Sequence, residues 1–330
     1  MPQQPQRRST DASRSTGQNA DGNVSAGDTG IYDAARRELA TVRDLLRFAV
    51  SQFVEQKLFF GHGSANAYDE AVYLVLHTLH LPLDHLEPFL DARVTGAERD
   101  AVLGIIERRV RERIPAAYLT HQAWLGEYKF YVDKRVIVPR SFIAELLRED
   151  LAPWVENPRG VGRVLDLCTG SGCLAILAAL SFSHATVDAI DASHDALEVA
   201  KKNVRDYGLE DRINLLASDM YESLGAKQYD LIISNPPYVS SESMARLPEE
   251  YRREPEMALA SGEDGLDHVR TLMANATKHL YANGLLVVEV GFNRKGVERA
   301  FPNIPLTWAE TSVGDEVVFL VDRETLIAYQ

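Results

Sequence analysis

Between residues 163 and 234 the chain alternates short apolar strands with helices, and no other feature constrains its fold so tightly. Residues 163–167, 185–190, 212–217 and 229–234 read as strands, and residues 172–179 and 195–207 as helices between the first three. Strands joined through helices run parallel and need cover on both faces, so the expectation is an α/β domain. Ligands of such sheets sit outside the carboxyl ends of the strands. The search for a site therefore starts at four strand ends.

After the first strand, Asp166-Leu-Cys168-Thr169-Gly170-Ser-Gly172 makes a tight turn into a helix. Gly170 and Gly172 let backbone approach a ligand where a side chain would not fit. The dinucleotide pattern G-x-G-x-x-G is incomplete, because Cys168 stands where its first glycine belongs and Leu174 or Ala175 where its third does. A purely structural turn stays open as the alternative. Asp191 closes the second strand, where an acid accepts hydrogen bonds from two ribose hydroxyls. Asp219 follows the third and suits the exocyclic amine of an adenine, with Met220 against the ring. Each acid alone could be a helix N-cap.

The fourth strand stops at Asn235-Pro236-Pro237-Tyr238. Two adjacent prolines cannot continue a central strand, so the backbone leaves the sheet there rigidly, with Asn235 and Tyr238 on either side. A planar amide or amine nitrogen has a delocalised lone pair and needs acceptors for its hydrogens. The Asn235 side-chain oxygen and the Pro236 carbonyl supply two, and Tyr238 can stack on the plane. Together the four strand ends favour a nucleoside cofactor.

Upstream the pattern changes. Residues 1–30 are rich in Gln, Ser, Gly, Asp and Asn and read as a disordered tail. Apolar residues recur at three and four from Ile31 to about Phe60, predicting one amphipathic helix. Further helices are expected from Ala67 to before Pro82, over residues 83–90, and over 99–113 after the capping-box spacing Thr95 to Glu98. Residues 31–116 thus form a small all-helical domain for substrate recognition. No carboxylate or Cys pattern supports a metal at its His77, His80 and His85, so they are read as helix-face histidines and no metal is expected. Alternation over residues 117–140, with Asp133-Lys134 as the turn, predicts a β-hairpin linker. Arg140, after Pro139 at a helix entrance, is either an anion or substrate contact or a solvated surface arginine.

The catalytic unit is then residues 141–330. Residues 240–260 form a charged, irregular loop expected to cover the substrate. Beyond it come a helix over 266–281, a strand over 284–290, a helix over 295–300, and strands near 306 and over 316–321 as an antiparallel edge. Glu289, at a strand end, is either structural or part of the pocket wall.

The 330 residues are 45% hydrophobic with a formal net charge of −13, which opposes a phosphate backbone and suits a basic protein partner. The longest apolar run is far below the roughly 20 residues of a membrane span. Two cysteines, no secretory signal and no span point to the cytoplasm.

The strand-end residues together resemble class I S-adenosylmethionine-dependent methyltransferases of the Asn-Pro-Pro-Tyr type, which act on planar nitrogens. The resemblance implies a Rossmann-like, seven-stranded mixed sheet and S-adenosylmethionine as cofactor. It also implies catalytic Asn235, Pro236, Pro237 and Tyr238, and cofactor contacts from Asp166, Cys168, Thr169, Gly170, Gly172, Asp191, Asp219, Met220 and Asn235. Substrate contacts are implied for Arg140, Asn235, Pro236 and Tyr238. Residues 113–120, 138–141, 144–146, 165–173 and 254–259 further resemble glutamine methyltransferases acting on translation proteins. Pro139-Arg140-Ser141 and the pair Cys168 and Cys173 match the branch acting on the third protein of the large ribosomal subunit, with a departure at Phe142, where proline is expected. A release-factor glutamine methyltransferase is the alternative, followed by an adenine-specific nucleic-acid methyltransferase and a non-catalytic binding module. A nucleic-acid enzyme would need a basic, aromatic-studded recognition region. The helical domain has no such enrichment beyond Arg108 to Arg113.

Overall fold

A computed structural model describes residues 26–329, so the expectation for residues 1–25 lies outside the described residues. The helical domain comprises α1 (Ala26–Glu38), α2 (Val42–Glu55), α3 (Ala67–Thr78), α4 (Gly96–Arg111) and the short α5 (Ala116–Thr120). Helix α1 therefore begins inside the segment read as a tail. The expected single helix from residue 31 to about 60 is two, because Thr41 starts a new one. Its hydroxyl accepts from the Asp44 amide while the Asp44 carboxylate accepts from the Thr41 amide, a capping box that periodicity alone does not show. The predicted box at Thr95 and Glu98 is present and opens α4. Only a 3₁₀ turn, Glu87–Phe89, forms in the stretch 83–90.

The hairpin consists of β1 (Gln122–Leu125) and β2 (Tyr128–Tyr131), paired antiparallel with Leu125 opposite Tyr128. Its turn is thus at Gly126-Glu127, not at Asp133-Lys134. Gly126 has φ +64, a left-handed conformation glycine adopts freely. Asp133 instead accepts from the Arg135 amide and guanidinium, a local bend beyond the hairpin.

The third part contains α6 (Ile143–Arg148), β3 (Arg163–Leu167), α7 (Cys173–Ser181), β4 (Thr186–Asp191), α8 (His194–Asp206), β5 (Ile213–Ala217) and β6 (Tyr229–Ser234). It continues through α9 (Ser241–Met244), α10 (Asp267–His279), β7 (Leu280–Glu289), α11 (Arg294–Ala300), β8 (Thr307–Trp308), β9 (Val318–Asp322) and α12 (Arg323–Tyr329). The sheet order is β5-β4-β3-β6-β7-β9-β8. The first five strands are parallel, and β9 and β8 add the antiparallel edge. This is the seven-stranded mixed, Rossmann-like sheet expected. Helix α12 was not foreseen.

One core lies between the sheet and α6 and α7, and the other between the sheet and α10. Helix α7 is buried from Cys173 to Ala179, which explains a segment apolar on every side. Among the described residues no helix is long and apolar enough to cross a membrane.

Register brings the strand ends level. Leu167 pairs with Ile190 of β4 and with Ser234 of β6, and Asp191 pairs with Ala217 of β5. Whatever follows each strand therefore meets at one edge of the sheet.

Candidate functional site

At that edge lies a cavity with about 670 Å³ of empty space, open solvent included. Gly170, Asp191, Asp219, Met220, Asn235 and Pro237 line it, along with Cys168. Four separate loops are thus gathered around one space, as the strand-end argument requires.

The turn after β3 holds its shape through its own hydrogen bonds. Thr169 donates its hydroxyl to Asp166 at 2.5 Å and its amide to the Ile190 carbonyl. Asp166 is fully buried beneath the turn, and burial pushes its carboxyl up to about 7. Neither Asp166 nor Thr169 is part of the cavity lining. Gly172 stands apart as well. A Cβ there would lie 3.1 Å from Ala200 Cβ, so this glycine permits α7 to pack against α8. Gly170 is the residue in contact with the cavity. It has φ +54, and a Cβ built on it meets nothing within 4 Å.

Asp191 is fixed from two sides. Its Oδ2 accepts the Gly170 amide at 2.8 Å and its Oδ1 the Ser193 amide at 2.8 Å. Burial raises its carboxyl above the ordinary value. The carboxylate keeps lone pairs for hydroxyl donors from the cavity. Cys168 and Met220 both have positive φ, and the Cys168 thiol lies 3.7 Å from Met220 Sδ. Burial pushes that thiol well above its usual range, so it remains protonated and apolar in character.

On the opposite wall, Ser234 donates its hydroxyl to the Leu167 carbonyl at 2.8 Å and pins the end of β6 just before Asn235. Tyr238 does not line the cavity directly. Two glycines frame it. A Cβ on Gly291 would lie 2.7 Å from Tyr238 Cε2, and one on Gly265 would collide with the Tyr238 carbonyl oxygen. Burial, then the neighbouring Glu289, holds the phenol above its usual range and therefore neutral. Glu289 accepts from the Ser141 hydroxyl at 2.6 Å and the Phe142 amide at 2.8 Å. It ties the start of α6 to the end of β7, and burial pushes it up to about 7.

Arg140, expected as a substrate contact, is engaged within the chain. Its guanidinium forms a bidentate pair with Glu254, 2.7 Å on each arm, and packs over the Tyr251 ring. The anion it meets belongs to the chain itself. Despite burial, His62 and Arg140 hold Glu254 at about 2, and Glu254 also accepts the Val138 amide. The adjacent Pro255, with Met257 and Ala258, lines the cavity, so the loop over residues 240–260 forms part of its wall. That loop is less irregular than expected, with α9 and two 3₁₀ turns. Val239 also bridges to Ala260.

The loop is anchored to the helical domain as well. Arg109, 1% exposed, donates to Glu70 at 2.6 Å, to Glu250 at 3.3 Å and to the Phe59 carbonyl at 2.9 Å. Sequence reasoning gave no role to Glu250, Gly265 or Gly291, and placed Glu254 only within the resembling segment 254–259. The two glycines carried one legible signal, since each stands two residues from a helix start or a strand end. The acids carried none, because their partners lie more than 100 residues away.

A family model described as "Methyltransferase small domain" matches residues 145–262. Over most of its length the chain is similar to proteins named ribosomal protein uL3 glutamine methyltransferase. It is 60% identical over 297 residues to the one from Neisseria gonorrhoeae, covering 90% of this chain and 99% of the relative. The relative from Burkholderia pseudomallei is 61% identical over 295 residues, covering 87% and 96%. The one from Bradyrhizobium diazoefficiens is 49% identical over 297 residues, covering 88% and 93%.

Proposed function

Because the chain belongs to the family of ribosomal protein uL3 glutamine methyltransferases, we propose that it methylates the side-chain amide nitrogen of a glutamine in ribosomal protein uL3, with S-adenosylmethionine as donor, in the cytoplasm. One observation carries the site assignment: Asn235 and Pro237 line the same cavity as Asp191 and Asp219. A nucleoside-binding wall and a nitrogen-binding wall thus face one space.

The residues present suit the cofactor. Gly170 leaves open room where a side chain would intrude, Asp191 would hold the ribose hydroxyls, and Asp219 with Met220 would hold the adenine. When bound, S-adenosylmethionine supplies an electrophilic methyl group on a sulfonium. The chain's own task is to present the amide. Asn235 Oδ1 and the Pro236 carbonyl oxygen each accept one amide hydrogen, which turns the nitrogen lone pair toward the cavity. The Tyr238 ring, kept neutral, supports the amide plane. The methyl group would come from the bound sulfonium and the displaced proton would be lost to solvent, while Asn235 Oδ1 and the Pro236 carbonyl oxygen hold the nitrogen in place. Positioning supplies most of the rate enhancement.

The test is incubation with isotopically labelled cofactor and separate pools of uL3, release factor and DNA, with the labelled residue located by mass spectrometry. Label on a uL3 glutamine is expected. Label on a release-factor glutamine or on DNA would overturn the substrate assignment. Asn235→Ala is expected to abolish turnover while leaving cofactor affinity within about twofold, since cofactor contacts on the other wall persist.

A further inference from the structure

A second cleft, with about 820 Å³ of empty space, opens between the helical domain and the hairpin. His62, Asp69 and Tyr73 line it from one side, and Gln122, Trp124 and Val138 from the other. Its lining contains an acid but no lysine or arginine. The Asp69 carboxylate is exposed, and Trp124 is a large aromatic left 44% exposed. His62 is buried in the wall, and neither of its ring nitrogens has a hydrogen-bond partner among the described residues.

The cleft is a neighbour of the methyl-transfer cavity. Val136 and Ile137 line that cavity while Val138 lines the cleft. His62 Nε2 lies 3.5 Å from Glu254, and the next residue, Pro255, is again cavity wall. Two short segments, 136–138 and 254–255, thus separate the two spaces. A polypeptide presenting a glutamine to one has neighbouring residues within reach of the other.

We propose that this cleft binds a lysine or arginine side chain of the protein substrate, close to the methylated glutamine in space. The inference rests on the function proposed above. A cation over the Trp124 face is attracted by the ring quadrupole, and the Asp69 carboxylate adds its charge. The apolar stem of a long basic side chain finds Val138 and the Tyr73 ring as packing surface. Another groove is lined by Arg108, Arg111, Lys134, Arg135 and Arg253 against only two acids, Glu112 and Asp133, and so favours such a group less. A net charge of −13 favours a basic partner in general, and the cleft is where that preference becomes specific.

The test is titration of purified uL3 into the full-length protein loaded with S-adenosylhomocysteine, followed by steady-state turnover. Trp124→Ala and Asp69→Lys are each expected to weaken uL3 binding about three- to tenfold, as loss of one such contact implies. The KM for cofactor and kcat at saturating uL3 should stay unchanged, and Trp124→Phe should retain most of the affinity. Binding of all three variants within twofold of wild type would overturn the cleft assignment. A hexa-arginine peptide, titrated at physiological salt, separates the two readings. Peptide binding lost in Trp124→Ala, with uL3 left unmethylated by wild type, would leave the cleft standing and remove the substrate. Wild-type turnover of uL3 with unaltered variants would do the reverse.

Discussion

Gly170 and Gly291 have nearly the same backbone conformation, φ +54 and +55, yet opposite surroundings. Alanine at either costs about 1 kcal/mol for a left-handed conformation. At Gly170 the added methyl meets nothing within 4 Å, and it points into space the cofactor would use. At Gly291 it would lie 2.7 Å from Tyr238 Cε2, short of the 3.4 Å at which ordinary van der Waals contact begins. The tyrosine ring must then retreat by about 0.7 Å, since repulsion rises steeply inside contact. A misplacement of about 1 Å at a reacting centre can cost 10²-fold in rate, so kcat of Gly291→Ala should fall on the order of 10–100-fold. Gly170→Ala should instead raise the KM for cofactor roughly tenfold, about 1.4 kcal/mol, with kcat near wild type. Both variants share the left-handed strain and should melt a few degrees lower, Gly291→Ala the more so because its methyl also displaces the Tyr238 ring. Steady-state kinetics in cofactor and in uL3, with a thermal melt of each variant, separates the two signatures. Wild-type kcat in Gly291→Ala, with the expected loss of melting temperature, would refute the claim that Tyr238 positions the amide.

Two further perturbations test the frame around the site. Burial raises the Glu289 carboxyl to about 7, so its contribution to stability is present below the unfolded value near 4.3 and is lost as pH rises through about 7. Urea unfolding at pH 5 and pH 8 should show wild type losing more stability over that interval than Glu289→Gln; equal losses would refute it. Arg109 is buried between Glu70 and Glu250, and Arg109→Met leaves the buried Glu70 without its ion-pair partner while Glu250 keeps Arg113 at 3.4 Å. A destabilisation of about 3–5 kcal/mol at pH 7 is expected by chemical denaturation. A loss below about 1 kcal/mol would mean that the network does not hold the helical domain to the loop over residues 240–260.

Much of this protein is written in local patterns. The four strands from Arg163 to Ser234 are apolar runs bounded by turns, and periodicity places them within a residue or two. The level strand ends follow from parallel pairing, so Gly170, Asp191, Asp219 and Asn235 were legible as one site before any coordinates. The capping box at Thr95 was equally legible, since its chemistry is complete within four residues. Periodicity failed at Thr41, where a second capping box interrupts an apolar stripe that continues across the break. It failed again in the hairpin, because alternation sets the face of each residue but not the point of reversal, which Gly126 decides.

Other assignments needed the tertiary structure. Asp166, Thr169 and Gly172 belong to the right motif yet stand behind the cavity, because only the folded turn shows which groups face outward. Arg140 resembles a free cation until Glu254, 114 positions later in the chain, takes both arms of its guanidinium. By itself the sequence determined the parallel sheet, the edge where the cavity opens and the loop at which the fourth strand leaves the sheet, since each depends on residues near one another in the chain. Tertiary structure alone decided which of those residues face the cavity, what holds Tyr238, and where a second cleft opens, since these depend on contacts that the chain makes only after it has folded back on itself.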